Sequence, residues 1–234
     1  TAIDLGTGRT AVAVSTGFSH TCALLDNGEV KCWGRDQFGQ LGDGGAFSPS
    51  GDTNTPSTAI DFGTGRTAIA IDAGGDHACA ILDNGDLKCW GSDNWGQLGD
   101  GGSVIPATPI TAPSSTAIDF GTGRTVVAVS VALQHSCAIL DNGDLHCWGS
   151  DGKGQLGNGG QISSTQTEPS STPIDLGTGR TAVAVSAGRE HTCALLDNGD
   201  VKCWGADNLG QLGDGGANSP RSAPSSLAID LGTG

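Results

Sequence analysis

Short apolar runs separated by glycine-rich turns recur along the chain in a fixed order. Thr10 to Ser15 is apolar and β-branched, His20 to Leu25 and Glu29 to Trp33 flank Asp26-Asn27-Gly28, and Ala2 to Leu5 forms a further short run. Asp-Asn-Gly between two such runs is a hairpin signal. The stretch from His20 to Gly34, HTCALLDNGEVKCWG, returns as HACAILDNGDLKCWG from His77, HSCAILDNGDLHCWG from His135 and HTCALLDNGDVKCWG from His191. The first cysteine of each copy, at Cys22, Cys79, Cys137 and Cys193, sets periods of 57, 58 and 56 residues. Between copies come GQLGDGG or GQLGNGG, a variable Ser/Thr/Pro/Gly loop, and AIDLGTGRTAVAVS or a close variant. Four short strands in each period of this length predict an all-β chain of propeller-type tandem repeats, four blades of about 57 residues with four antiparallel strands apiece.

The hairpin register follows from the turn. With Asp26-Asn27-Gly28 as a three-residue loop ending in a glycine G1 bulge, Leu24 faces Val30 and Cys22 faces Cys32; a two-residue loop sets Ala23 against Cys32 instead. The cysteine spacing favours the first, at a non-hydrogen-bonded pair where side chains come closest. All eight cysteines fall into this scheme, so the expected bridges are Cys22–Cys32, Cys79–Cys89, Cys137–Cys147 and Cys193–Cys203. Each closes a short loop, worth about 2.5–3 kcal/mol of unfolded-chain entropy at most, and the set implies an oxidising compartment. Two rival readings stand beside it. His20, Cys22 and Cys32 converge as three zinc ligands, with His146 as a fourth in the third copy alone, although the short cysteine knuckle of structural zinc is missing. Buried free thiols are the other.

Composition agrees with the all-β expectation. There are 40 glycines, charged residues make up 15% of the chain, and methionine is absent. The missing initiator residue suggests a processed or partial chain. No apolar run approaches the roughly 18 residues of a membrane span. A net charge of −14 with 11 dispersed basic residues argues against nucleic acid as a partner, because phosphate binding works through Lys and Arg.

The combination of Gly-x-x-His-[Thr/Ser/Ala]-Cys-Ala-[Leu/Ile], Asn-Gly-[Asp/Glu]-[Val/Leu], Trp-Gly and Gly-Gln-Leu-Gly, present four times over nearly the whole chain, resembles the regulator of chromosome condensation repeat family. The resemblance implies a β-propeller, commonly of seven blades, and the cysteine pair is most similar to secreted prokaryotic members. Leu133 stands as the replacement for Gly17, Gly74 and Gly188, so the third turn is expected to differ. The AIDLG-type strand occurs five times against four hairpins. The array therefore reads as repeats at about 10–66, 67–124, 125–180 and 181–234, with 1–8 as the end of a preceding repeat. It suits four blades of a larger assembly, whose terminal edge strands offer pairing sites to other copies of the chain.

Candidate sites are few. His20, His77, His135 and His191 stand at one strand start in every copy, which suits a hydrogen-bonding strut better than catalysis, as no nucleophile converges on them. Trp33, Trp90, Trp148 and Trp204 are expected to pack between blades, with Trp95 as a further tryptophan. The glycine-rich DLGTGRT lacks the lysine and spacing of a phosphate loop. If it is a hairpin turn, Asp4–Arg9, Asp61–Arg66, Asp119–Arg124 and Asp175–Arg180 are cross-strand ion pairs. Asp36 with Asp43, Asp93 with Asp100, Asp207 with Asp214, and Asp151 with Asn158 offer oxygens for calcium without any EF-hand spacing. The residue before each Gly-Gln-Leu-Gly varies, being Phe38, Trp95, Lys153 and Leu209. A constant frame with one variable position resembles an interaction surface, or drift at an exposed site.

The sequence thus points to a non-enzymatic extracellular scaffold for structure, adhesion or protein–protein interaction, without catalytic, metal or cofactor residues and with protein as partner. Alternatives are a discrete secreted propeller that binds or inhibits a partner protein, and a guanine-nucleotide-exchange regulator.

Overall fold

The computed structural model describes residues 2–45, 52–102, 109–160, 162, 164–216 and 218–232. The first residue of the 1–8 segment and the last two of the 181–234 stretch lie outside the described residues. The chain forms four small antiparallel sheets in sequence. Blade 1 holds β1 (Ala11–Thr16), β2 (His20–Leu25) and β3 (Val30–Gly34). Blade 2 holds β4 (Ala68–Ala73), β5 (His77–Leu82) and β6 (Leu87–Gly91). Blade 3 holds β7 (Val126–Val131), β8 (His135–Leu140), β9 (Leu145–Ser150) and β10 (Thr165–Gln166). Blade 4 holds β11 (Ala182–Ala187), β12 (His191–Leu196) and β13 (Val201–Gly205).

The hairpin register is the one the three-residue loop demands. Leu24 pairs with Val30 and Cys22 with Cys32, and the same holds for Cys79 with Cys89, Cys137 with Cys147 and Cys193 with Cys203. Gly28 sits at φ 79° and donates to the Leu25 carbonyl at 2.9 Å, while the Leu25 amide reaches Glu29 at 2.8 Å. That positive φ is why the loop ends in glycine.

The fourth strand is weaker than expected. The AID segments expected to form it are in no strand; what pairs instead lies in the variable loop before them, as β10 in blade 3 and elsewhere as a single bridge, Gly34 to Thr53, Gly91 to Ile110 and Gly205 to Arg221. The AID segment that follows adds one bond to its sheet, from Ile60 to Val30, Ile118 to Leu87, Ile174 to Leu145 and Ile229 to Val201, at 2.9–3.0 Å. Between bridge and isoleucine stands Pro56, Pro113, Pro169 or Pro224, which has no amide to continue a ladder.

Two further expectations change. Asp4 does not pair with Arg9; its Oδ1 accepts the Gly6 amide at 2.9 Å, as Asp61, Asp119 and Asp175 accept from Gly63, Gly121 and Gly177. The arginines turn to the hairpin loop instead, Arg9 to Asp26 at 3.4 Å, Arg66 to Asp83 at 3.3 Å, Arg124 to Asp141 at 3.2 Å and Arg180 to Asp197 at 3.4 Å. These exposed pairs are worth about 0–1 kcal/mol each. The residue in the place of Gly17, Gly74 and Gly188 is Ala132 and not Leu133, because each of these four amides donates to the carbonyl of its own histidine at 2.8–3.0 Å. The turn does differ there. Phe18 donates to Gly74 and Gly75 to Ala132 across the first two seams, but among the described residues no such bond joins Leu133 to blade 4.

The core lies between blades. One layer joins Leu24, Val30 and Leu41 of blade 1 to Ala68, Ala80, Leu82 and Trp90 of blade 2, and two equivalent layers follow. Each buried tryptophan lies over a glycine of the preceding blade. A Cβ at Gly42, Gly99 or Gly157 would stand 2.4–2.5 Å from the ring of Trp90, Trp148 or Trp204. Gly157→Ala combines this clash with strain at φ 69°, whereas Gly159→Ala has the strain alone, with φ 70° and open space around it. Urea unfolding should show a loss of about 1–2 kcal/mol for Gly159→Ala and about 2 kcal/mol more for Gly157→Ala; equal losses would contradict the packing of Trp204.

Candidate interaction surface and the seam that builds it

Strand order sets which loops share a face. The β1–β2 turn and the end of β3 lie at one end of a blade, so turns such as Gly17-Phe18-Ser19 and the Gly-Gln-Leu-Gly loops share one face of the array. The Asp-Asn-Gly hairpin turns lie on the other. Near the axis of the loop face an opening of about 570 Å³ is lined by Phe18, Val131, Leu133 and Arg189, among others.

Each Gly-Gln-Leu-Gly loop is fixed by its glutamine twice. The side-chain Oε1 of Gln40, Gln97, Gln155 and Gln211 accepts the amide of Phe38, Trp95, Lys153 and Leu209 at 2.7–2.8 Å. The four variable side chains are thereby held on equivalent backbone. Trp95 is 43% exposed and Leu209 83%, Lys153 is exposed, and Phe38 is half-buried with the Arg35 guanidinium 5.8 Å from its ring centre.

The second role of the glutamine is in its backbone. Trp90, Trp148 and Trp204 donate from Nε1 to the carbonyl oxygens of Gln40, Gln97 and Gln155 in the preceding blade, at 3.1, 3.0 and 2.9 Å. Ser136 and Thr192 donate to the Gln97 and Gln155 carbonyls as well, both at 2.9 Å. His77 Nε2 lies 2.8 Å from the Ser136 hydroxyl and His135 Nε2 2.9 Å from Thr192. Since each hydroxyl spends its proton on a carbonyl, the imidazole donates from Nε2, and its buried Nδ1 is left without a partner. The histidines are thus struts between blades at two seams.

At the first seam the strut fails. The residue that would carry the hydroxyl is Ala78, and both ring nitrogens of His20 are buried without a partner. Its ring lies back over Gly17, where a Cβ would stand 2.3 Å from Cε1. The alternation Thr21, Ala78, Ser136, Thr192 is plain in the sequence, but its meaning depends on contact with the neighbouring blade. Gln40, Gln97 and Gln155 were visible only as a repeated motif.

The sulfurs of the four expected cysteine pairs are 2.02–2.08 Å apart, at disulfide distance. In that pairing no thiolate remains for zinc, and His146 is bonded through Nδ1 to the Ser170 carbonyl at 3.0 Å. The loop aspartates act as turn caps. Asp36, Asp93, Asp151 and Asp207 accept the amides of Leu41, Leu98, Leu156 and Leu212 at 3.0–3.1 Å. Asp43, Asp100 and Asp214 accept those of Gly45, Gly102 and Gly216. Asn158 serves Gly160 equally well, because the role needs only an acceptor. Among the described residues no group of three or more His, Cys, Asp or Glu is placed to hold a metal ion, and no helix is long and apolar enough to cross a membrane.

Burial sets the protonation of the seam. It lowers His20 to about 4 and, with neighbouring imidazoles adding to it, His77 and His135 to about 3. Burial pushes Asp93 and Asp151 up to about 6, in the latter beside an unpartnered Oδ2.

This construction, tandem three- to four-stranded sheets joined face to face by tryptophan and glycine, defines a β-propeller-type repeat protein. Family models described as the regulator of chromosome condensation (RCC1) repeat match residues 11–40, 68–97, 126–155 and 182–211, and a second model of that description matches 27–81 and 142–195. The chain belongs to this repeat family. It is 30% identical over 204 residues to the ultraviolet-B receptor UVR8 of Arabidopsis thaliana, covering 86% of this chain and 42% of the receptor. With the human E3 ubiquitin-protein ligase HERC2 it shares 29% over 217 residues, 89% of this chain and 4% of the ligase. Yeast RCC1 (Prp20) bound to Kap60 superposes with a TM-score of 0.78 at 20% identity, over 97% of this chain and 50% of that one. Human WBSCR16 superposes with 0.78 at 24%, over 95% and 53%. The chain therefore spans about half or less of the length of these relatives.

Two predictions follow from the seam. Ala78→Ser supplies the missing hydroxyl to His20 and the Gln40 carbonyl, and should raise unfolding stability by about 0.5–1.5 kcal/mol; an unchanged or lower midpoint in urea would show that the site cannot accept it. For pH, the histidines bind protons less well folded than unfolded, so their contribution is complete above about 6.5 and is lost as pH falls towards 3. Asp93 and Asp151 have the opposite sign: their contribution is complete below the ordinary value of 3.8 and is lost as pH rises through about 6. Asp93→Asn, which keeps the acceptor for Leu98, should therefore show a steeper loss of stability between pH 6 and 4 than the wild type, measured by denaturant unfolding across that range.

Proposed function

We propose that this chain is a non-enzymatic extracellular scaffold that binds a protein partner through its loop face. The observation that carries this is the placement of Phe38, Trp95, Lys153 and Leu209, whose backbones are fixed by one glutamine each while their side chains differ. A rigid frame with an exposed tryptophan and leucine suits a contact surface, since aromatic residues carry much of the energy of protein interfaces at small entropic cost. Structural neighbours support the class of partner: Prp20 was crystallised with the protein Kap60, and its binding to Gsp1p and histones has been described. Of the four repeated histidines, His20, His77 and His135 are buried, the latter two as struts between blades, and the repeated loop aspartates are engaged as turn caps, which supports a role without catalysis. Four cysteine pairs at disulfide distance are compatible with export.

A photo-crosslinking residue at position 95 or 209 should capture one and the same extracellular protein, and one at Val127, on β7, should not. Trp95→Ala with Leu209→Ala should then weaken that complex at least about tenfold with the unfolding midpoint unchanged. Unaltered affinity would remove the loop face from the reading, and eight free thiols in untreated material would remove the extracellular part.

A further inference from the structure

One position on the second hairpin strand carries two chemistries. It is Lys31, Lys88 and Lys202 in blades 1, 2 and 4, but His146 in blade 3. Lys88 and Lys202 are buried, and backbone carbonyls meet each ammonium. Lys88 Nζ donates to the Phe62 carbonyl at 3.1 Å and to the Ser115 carbonyl at 3.3 Å. Lys202 Nζ donates to the Leu176 carbonyl at 2.9 Å. Lys31 Nζ lies beside Gly6, 3.6 Å from where a Cβ would stand, as Lys202 Nζ lies beside Gly177 at 3.5 Å. An ammonium held by the AID segment ahead of the blade is thus part of the repeat.

Blade 3 keeps the acceptors and lacks the donor. The counterparts of Phe62 and Ser115 are Phe120 and Ser171, and neither carbonyl receives a hydrogen bond among the described residues. His146 does not stand in for the ammonium. It donates from Nδ1 to the carbonyl of Ser170, the residue before Ser171, at 3.0 Å, and burial lowers its basicity. A neutral imidazole that donates from Nδ1 has only a lone pair at Nε2, so it brings neither a second proton nor a charge. Beside it is an opening of about 240 Å³, lined by Phe120, Asp144 and Ser171 and edged by Arg124. Arg124 is paired with Asp141 at 3.2 Å, whereas Asp144 accepts from the neutral Asn142 side chain at 2.7 Å. The opening therefore offers two carbonyl oxygens and a carboxylate that has no ion pair among the described residues.

We propose that this opening binds a primary ammonium group, in the place that Lys88 and Lys202 fill from within their own blades. Its three N–H donors suit the carbonyls of Phe120 and Ser171 and the carboxylate of Asp144. A free alkylamine and the lysine side chain of a partner share this chemistry.

Titration of the isotope-labelled chain with propylammonium chloride at neutral pH, followed by amide NMR, should give saturable shifts at Gly121 and Thr172. Tetramethylammonium, which has no N–H to donate, and potassium ions should give none at equal ionic strength. His146→Lys restores the residue of the other blades; it should keep the urea midpoint and lose the response. Asp144→Asn should weaken binding about tenfold through loss of one charge-assisted partner. Nα-acetyl-lysine methylamide separates the two sources: tighter binding than propylammonium identifies a lysine side chain and weaker binding a free amine, and either supports the site. Absence of a saturable response to both ammonium probes would overturn the proposal. So would an equal response to tetramethylammonium or potassium, a response that persists in His146→Lys, or unchanged affinity in Asp144→Asn.

Discussion

The fold depends on one backbone oxygen per repeat. The carbonyls of Gln40, Gln97 and Gln155 each take the indole proton of the next blade's tryptophan, and the ring can come that close only because a glycine lies beneath it. A three-stranded sheet of this size cannot bury its own faces. The tryptophan is therefore the largest apolar group the second blade gives to the first, and the carbonyl is what fixes its depth and angle. Leu41, Leu98 and Leu156, each the residue directly after the glutamine, sit in the same layers. One short motif thus supplies a ring seat, a proton acceptor and an apolar wall.

The cysteines belong to that layer as well as to the hairpin. Cys22 and Cys32 lie in the core shared with blade 2, and Cys79 and Cys89 in that shared with blade 3. A bridge here stiffens two strands and at the same time presents compact apolar sulfur to the next blade. A chain with 40 glycines loses much backbone freedom on folding, and short covalent loops reduce the freedom available to the unfolded chain. The same loops are exempt from the polar demands of a buried turn, because each Asp-Asn-Gly closes on itself through Asn27, Asn84, Asn142 and Asn198.

Much of this was legible before any coordinates. Cys22 facing Cys32 followed from the spacing of two residues around a glycine turn, since strand pairing has only one register that satisfies both. The interblade place of Trp90 and its counterparts followed from size and repetition. What remained hidden depends on contacts between repeats or on competition between neighbours. Arg9 has Asp4 five residues away, yet the Asp4 carboxylate is occupied by Gly6 and the arginine finds Asp26. The fourth strand carries the right apolar residues, but Pro56 and its counterparts remove the amide a ladder needs. Leu133 does not stand in the place of Gly17: the Gly-x-x-His spacing, counted back three residues from His135, gives Ala132, and the amide-to-histidine bond agrees.

The variable residue after each seam histidine shows how repeats diverge without losing the frame. Ser136 and Thr192 complete a three-membered network of imidazole, hydroxyl and carbonyl; Ala78 leaves the imidazole of His20 to fold over Gly17. His191, which meets no further blade among the described residues, folds over Gly188 in the same manner, with Cε1 2.2 Å from where a Cβ would be. The glycine therefore has a use that appears only when the hydroxyl is absent: it leaves room for an imidazole with nowhere else to go. Where Thr192 holds His135 forward, alanine can occupy that position, as Ala132 does, although the neighbouring turns then lose a bond. A substitution in one blade is thus permitted or forbidden by a residue in the next. That coupling lets the loop residues between seams vary freely while the seams themselves change only in matched pairs.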